Sequence, residues 1–249
     1  DTDRDVVTVK KLHGLNFSML ATCDLGRTNM YRLISAAHID YFHNTAKLPK
    51  SLLSSLRAGI LIGSGDADGE LYDMVLRGFS DEELDRAVAF YDYVEVLPPD
   101  NLRYLIDSDD SYISSMEDIY DITRRLISSA ERVGRPACAV GDVHFVNESD
   151  KAFRKIIKYF EYSSKGRARL YSDAKFDAPQ YYRSTAEMLE AFSFLPEDEA
   201  KRIVIDNTRL IADMCEPIAP VRPDKRTPVI ENSDEELRQI CYDKAHELY

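Results

Sequence analysis

The run PACAVGDVHF at residues 136–145 constrains the fold of this chain most, because mostly apolar residues in it lead directly into Asp-x-His. Such an apolar run is typical of a buried parallel strand. Side chains at positions i and i+2 of a strand share a face. Asp142 and His144 are therefore predicted to present an oxygen and a nitrogen ligand side by side at the C-terminal end of a strand, where α/β proteins place their chemistry. The alternative is a buried aspartate that orients a core histidine.

Three further strands are predicted upstream, separated by helices. The strands are expected at residues 15–21, 60–62 and 91–97. The helices between them are expected at residues 28–41, after Pro49, from the capping box at 80–83 to residue 90, and at 113–133. Strands that alternate with helices predict βα units and a parallel sheet. After about residue 165 only helices are predicted, at 185–192, 198–214 and, after a second capping box at 233–236, 235–248.

Composition narrows the class of protein. The 249 residues carry a formal net charge of −12, and affinity for phosphates comes mostly from Lys and Arg, so the chain is a poor autonomous nucleic-acid binder. No window approaches the ~18 apolar residues of a membrane span. The four cysteines are scattered without a CxxC pair, which favours reduced thiols and a cytoplasmic location.

Two other side chains are candidate ligands. His38 falls in the last turn of its predicted helix, where the helix dipole also suits a capping histidine. Asp66 lies in the loop GSGDADGE at residues 63–70, which lacks the Gly-Lys-Ser/Thr ending of a phosphate loop. The loop resembles a calcium loop only in part, because Val75 stands where the final glutamate is required. Asp66 is either a third ligand beside Asp142 and His144 or a helix N-cap.

Several motifs together resemble one known family. They are MYRLISAAHIDYF (30–42), GILIGSG (59–65) with GEL (69–71), FYDYVEV (90–96) with Pro98, GDVHF (141–145), YRSTAEML (182–189), and DNT (206–208) with IAD (211–213). In this order they are similar to the PHP (polymerase and histidinol phosphatase) domain of PolC-type DNA polymerase III alpha subunits. The similarity runs from about residue 15 to residue 249, with a weaker patch near 162–180.

The resemblance implies an architecture. The PHP domain of that family is a barrel of βα units with a cluster of metal ligands at one end, and a proofreading exonuclease interrupts it. The chain would begin just after that insertion, and the first barrel portion with its His-x-His motif would lie outside it. The expected fold class is therefore α/β, a partial PHP-type (β/α) barrel with parallel strands followed by a mainly helical C-terminal segment. The expected domains are a linker at 1–14, the C-terminal part of the PHP domain at 15–165, and a helical segment leading to the polymerase core at 166–249.

The resemblance also implies a metal site. His38, Asp142 and His144 match ligand positions of the family, and Asp66 stands where the family commonly has cysteine. A carboxylate is a harder ligand than a thiolate but still binds zinc or manganese. Glu95 matches a frequent family residue without an assigned role. No catalytic residue is expected within this chain.

The implied function is that of a PHP-domain scaffold with a partial metal site, within a magnesium-dependent enzyme that performs DNA-templated DNA synthesis. Its expected partners are the remainder of the polymerase chain, DNA through that chain and other replisome subunits; no membrane is expected. The strand at 15–21 would be an exposed edge, which either pairs with a second copy of the chain or is covered by residues 1–14. The main alternative is a stand-alone metal-dependent phosphoesterase of the PHP class, against which the missing His-x-His motif argues. A third is a protein-binding module.

Overall fold

The computed structural model describes residues 12–106, 112–164, 178–221, 224 and 228–249, and side chains within these ranges except for 158–164. The chain divides into two units, Asp1–Ile218 and Ala219–Tyr249, and each is described by itself. Most of the predicted linker at 1–14 lies outside the described residues. The predicted boundary at 165/166 borders an undescribed stretch and stays a prediction.

Four short strands form two pairs in the first unit. They are β1 (Ser18–Ala21), β2 (Ile60–Gly63), β3 (Val94–Val96) and β4 (Ala137–Ala139). Strands β3 and β4 pair in parallel, with Val94 opposite Ala137, and β1 and β2 pair antiparallel, with Ser18 opposite Gly63. A single parallel bridge between Gly63 and Tyr93 joins the two pairs. The parallel pair and the surrounding helices confirm the coarse α/β character, and the barrel itself stays a prediction.

The antiparallel pairing of β1 with β2 differs from the predicted parallel order. The segment that connects them leaves β1 and enters β2 at the same end of the strand pair. There the Thr22 amide and hydroxyl both donate to the Gly59 carbonyl, at 2.9 and 3.0 Å. Gly26 touches Gly59 so closely that a Cβ on Gly26 would fall 1.7 Å from that carbonyl oxygen. When a connection joins neighbouring strands at the same end, the second strand runs antiparallel to the first.

Nine α-helices are described in the first unit. They are α1 (Asp24–Ile39), α2 (Lys50–Ser55), α3 (Glu70–Leu76), α4 (Asp81–Val88), α5 (Met116–Val133), α6 (Lys151–Ser164), α7 (Thr185–Ala191), α8 (Glu197–Lys201) and α9 (Asn207–Asp213). Short 3₁₀ helices span Pro99–Leu105 and Glu148–Asp150, and a π-helical turn, Arg202–Asp206, joins α8 to α9. The predicted capping box of α4 is confirmed, with Ser80 and Glu83 bonding each other's backbone amides.

A large hydrophobic core holds the first unit together, and a small second cluster of Tyr93, Cys138 and Ile211 joins α9 to strand β4. Ile62, Val94 and Val96 on the strands are fully or almost fully buried against Leu126 of α5. Phe192, just after α7, lies in the same core and is also fully buried. The C-terminal helices up to α9 therefore pack as part of the body that carries the strands, rather than as a separate appendage.

The second unit contains helix α10 (Ser233–Leu248). It begins two residues earlier than predicted and without the expected capping box. Asn232, at φ 61°, is the N-cap, and Ser233 is the first helical residue. Because Ser233 lies inside the first turn, its hydroxyl is not positioned to accept a hydrogen bond from the backbone amides of that turn. Within the described residues of both units, no helix is long and apolar enough to cross a membrane.

Candidate functional site

Asp142 and His144 lie in a loop beyond β4, not within the strand as the sequence pattern predicted. Strand β4 ends at Ala139, and one further hydrogen bond joins the Val140 amide to the Val96 carbonyl at 2.9 Å. The partner strand β3 ends at Val96 and leads into Pro98 and Pro99, which have no N–H to continue a ladder. The chain then turns away at Asp142, whose φ is 48°.

The loop nevertheless brings the two predicted ligands into contact. His144 Nε2 lies 3.2 Å from Asp142 Oδ1, and the side chains are 44% and 17% exposed. Burial raises the pKa of Asp142, but the hydrogen bond and charge of His144, the Gln180 amide and the Arg154 charge outweigh it and hold that pKa below its usual value. The aspartate contacts the imidazole as in the alternative that the sequence left open, but His144 is exposed and is not a core histidine.

Two further residues complete this group, and the sequence analysis missed both. The Gln180 side-chain amide donates to Asp142 Oδ2, and its carbonyl oxygen accepts from Arg154 on α6. Gln180 is only 7% exposed, and burial lowers the pKa of Arg154 while the charge of Asp142 raises it. Gln180 is 38 positions from Asp142 along the chain, so no local pattern could have linked them.

His38 makes local contacts. It lies in the last turn of α1, as predicted, and its Nδ1 is 2.8 Å from the carbonyl oxygen of Ile34 one turn earlier. Its ring stacks on that of Phe42 with centroids 6.3 Å apart. The Ile34 carbonyl lies four residues before His38, ahead of the terminal carbonyls that lack an intrahelical partner, so this contact holds the imidazole against its own helix and is not a C-cap.

Asp66 holds the turn after β2 together. Its two carboxylate oxygens accept from the side-chain amide of Asn16, each at 3.1 Å, and Oδ1 also accepts from the Asp68 amide at 2.9 Å. It does not cap α3, whose N-cap is Gly69. The neighbouring Gly65 has a φ of 84° and lies against the Asn16 backbone, a conformation that glycine adopts without strain.

The four predicted ligands are therefore engaged in three separate sets of contacts. Among the described residues, no three His, Cys, Asp or Glu side chains are placed to hold a metal ion. Both oxygens of Asp142 and of Asp66 already have hydrogen-bonding partners. The glutamine that bonds Asp142, Gln180, also accepts a hydrogen bond from the guanidinium of Arg154. A zinc or manganese site needs several convergent donors, and within the part of the chain that the structure describes, the side chains of these four do not converge on one point. The four-ligand site stays a prediction.

Glu95 is a buried carboxyl at the centre of the joined sheets. Its Oε2 accepts from the Ser18 hydroxyl at 3.0 Å, and its backbone amide donates to the Ser64 hydroxyl at 2.9 Å. Burial raises the pKa of Glu95. Glu95 and Asp142 both raise the pKa of the fully buried Tyr72, after the larger effect of its burial. The Tyr72 hydroxyl itself accepts a hydrogen bond from the Leu97 amide at 2.9 Å.

Comparison with known proteins gives one consistent relationship. The chain is similar to the PolC-type DNA polymerase III of Halalkalibacterium halodurans, with 40% identity over 93% of this chain and 16% of that protein. The corresponding protein of Oceanobacillus iheyensis is 37% identical over 93% of this chain and 16% of its own length. That of Clostridium perfringens is 36% identical over 98% and 16%. No protein-family model matches the chain. The chain spans about 16% of the length of these curated relatives.

Proposed function

We propose that this chain, which is homologous to one segment of the PolC-type DNA polymerase III proteins, is a scaffold segment of a replicative DNA polymerase. In this proposal it forms the second portion of a PHP-type domain and the helices that lead toward the polymerase core. DNA-templated DNA synthesis, with magnesium, is then performed by the parent protein through parts outside this chain. Its partners are the remainder of that polymerase, DNA bound by it, and the other replisome subunits.

The extent of the similarity carries this proposal. The similarity covers 93–98% of this chain, and the three relatives all have the same name, DNA polymerase III PolC-type. In each of them it covers only 16% of the relative's length. The 232 residues aligned with the Oceanobacillus protein thus imply a relative of about 1,450 residues, 232 divided by 0.16. The main core extends from the strands through α7 and α8 to Ile203, and Ile211 of α9 packs with Tyr93 and Cys138 beside the strands; both support a scaffold that continues into α9.

The parent protein provides the test. Antibodies raised against the purified chain should detect one polypeptide of about 165 kDa in the source cells, scaling from 28.4 kDa for 249 residues. The purified chain, added to the same extract, marks the size of the free segment. The reading frame around the coding segment should continue on both sides. A band at the size of the free chain, from a reading frame of the same length, would contradict the proposal.

A second prediction concerns the chain by itself. Incubated with primed template, nucleotides and magnesium, it should give no primer extension, since the proposal places polymerisation elsewhere in the parent. Incubated with a phosphate monoester and zinc or manganese, it should release no phosphate, as a stand-alone phosphoesterase would. Reproducible extension would overturn the scaffold proposal, and phosphate release abolished by Asp142→Asn would favour the phosphoesterase instead.

A further inference from the structure

The contacts around Asp142 form a continuous chain from a cation to a histidine. Arg154 of α6 donates to the carbonyl oxygen of Gln180, the Gln180 amide nitrogen donates to Asp142, and His144 lies 3.2 Å from the other Asp142 oxygen. A primary amide has one acceptor end and one donor end. Gln180 is oriented with its acceptor toward the guanidinium and its donor toward the carboxylate. It therefore connects the positive Arg154 to the negative Asp142 through two hydrogen bonds.

The same residues also join distant segments of backbone. The His144 amide donates to the Gln180 carbonyl at 2.8 Å, and the Tyr182 amide donates to the Phe145 carbonyl at 3.1 Å. Phe145 and Tyr181 form an isolated parallel bridge. The loop after β4 is thus fastened to residues 180–182, and Arg154 adds α6 to the same junction.

The geometry points to a metal-independent lock: we propose that Arg154 and Gln180 take the place of a bound cation at Asp142 and His144, and fasten the loop after β4 to residues 180–182. A carboxylate needs a compensating positive charge when it is removed from water. Here a guanidinium supplies it through an amide, and each carboxylate oxygen already has a hydrogen-bonding partner. This inference goes beyond the proposed scaffold role, and it holds or fails whatever the parent protein does.

The polar network can be separated from packing by an isosteric change. Gln180→Glu keeps the shape of the side chain, removes the donor to Asp142 and places a second carboxylate beside it. Thermal unfolding of the purified chain, measured by circular dichroism in the presence of EDTA, should show a midpoint lowered by about 5 °C or more. Gln239→Glu on α10, where the glutamine bonds exposed Asp243 at 2.7 Å, is the matched control and should shift the midpoint by about 1 °C or less.

Coupling between Arg154 and Gln180 gives an independent measurement. Arg154→Met should lower the midpoint in the wild-type chain, and it should cause a much smaller further loss in a Gln180→Met background, because the connection through Gln180 is already broken. If Gln180→Met fails to fold, the comparison of Arg154→Met with Gln180→Glu remains. Additive losses would overturn the lock, because independent residues do not share a network.

The unfolding midpoint with and without metal ions distinguishes the metal-independent lock from a metal centre. The midpoint of the wild-type chain should be the same, within about 1 °C, in EDTA and after addition of zinc or manganese. Asp142→Asn should not change the heat of zinc binding measured by isothermal titration calorimetry. A rise in the midpoint with either metal that Asp142→Asn or His144→Ala abolishes would overturn the proposal and establish the predicted metal site.

Discussion

Asp142 shows how a single residue directs a loop. Its φ of 48° lies in the left-handed region, where aspartate and asparagine are the non-glycine residues most often found. That conformation turns the chain out of the sheet and sets the carboxylate between His144 and Gln180. One residue therefore both turns the loop that follows β4 and contacts the side chains of His144 and Gln180.

Glu95 gives a pH-dependent prediction at the same scale. Its folded pKa is raised by burial, so its proton is bound more tightly in the folded than in the unfolded chain. Its contribution to stability is complete below the unfolded pKa, near 4.5, and is lost as pH rises through the folded pKa. The difference in free energy of unfolding, wild type minus Glu95→Gln, should therefore fall between about pH 4 and about pH 7 in urea titrations.

Absolute stabilities do not serve as the readout for Glu95, because glutamine also loses acceptor capacity toward Ser18 and Tyr93. Glu190→Gln, at an exposed position of α7, controls for the chemical change. A difference between wild type and Glu95→Gln that is the same at both pH values would contradict the raised pKa.

Helix α5 (Met116–Val133) is the element that organises the core. A capping box between Ser115 and Asp118 starts it, and Gly134, at φ 72°, ends it. On its outer side Arg132 donates two hydrogen bonds to Asp85 of α4, both at 2.8 Å, in a bidentate pair. The apolar stripe was visible in the sequence, but the pairing with α4 was not, because 47 residues separate its members.

Truncation of Leu126 tests the central place of α5. Leu126 is fully buried, so Leu126→Ala should lower the free energy of unfolding by about 2–5 kcal/mol through lost transfer energy and a residual cavity. Ser128→Ala, two residues on and exposed, should change it by about 0.5 kcal/mol or less. Urea denaturation of both variants measures the effect. Equal, small losses would mean that α5 is not part of the main core.

At the scale of the whole molecule, β1 lies at one edge of the described strands, the position that the sequence analysis predicted for it, and β4 lies at the other. Among the described residues it pairs with β2 alone in the sheet. Leu20 on β1 is 38% exposed, and Leu25 and Ile34 on the following helix are 53% and 43% exposed. An edge strand beside apolar surface is a template for pairing with another chain.

We therefore predict that the isolated chain self-associates through β1. Light scattering at several concentrations should give a mass that rises toward twice 28.4 kDa, most simply through a two-fold dimer. Leu20→Lys places a charge on the edge strand and should keep the chain monomeric. Leu210→Lys, an equally exposed leucine on α9 (45%), should leave the association unchanged. A wild-type chain that is monomeric at every concentration would refute this prediction.

The sequence by itself determined most of the local structure. Apolar stripes located α1 and α5, Ser80 and Glu83 located the start of α4, and the apolar run at 60–62 located β2. These features depend on residues within one or two turns of each other, and their physics is local. The order and spacing of the motifs were also enough to indicate the PolC-type relatives.

Tertiary structure alone decided the direction of β1 and the surroundings of Asp142. The contact of Gly26 with Gly59 sets the antiparallel pairing, and the end of β3 at Val96 stops β4 before Asp142 is reached. Gln180 and Arg154 reach Asp142 only because helix α6 and residues 180–182 pack beside the loop. Contacts between residues tens of positions apart follow from how elements pack, and no period or spacing in a single sequence encodes them.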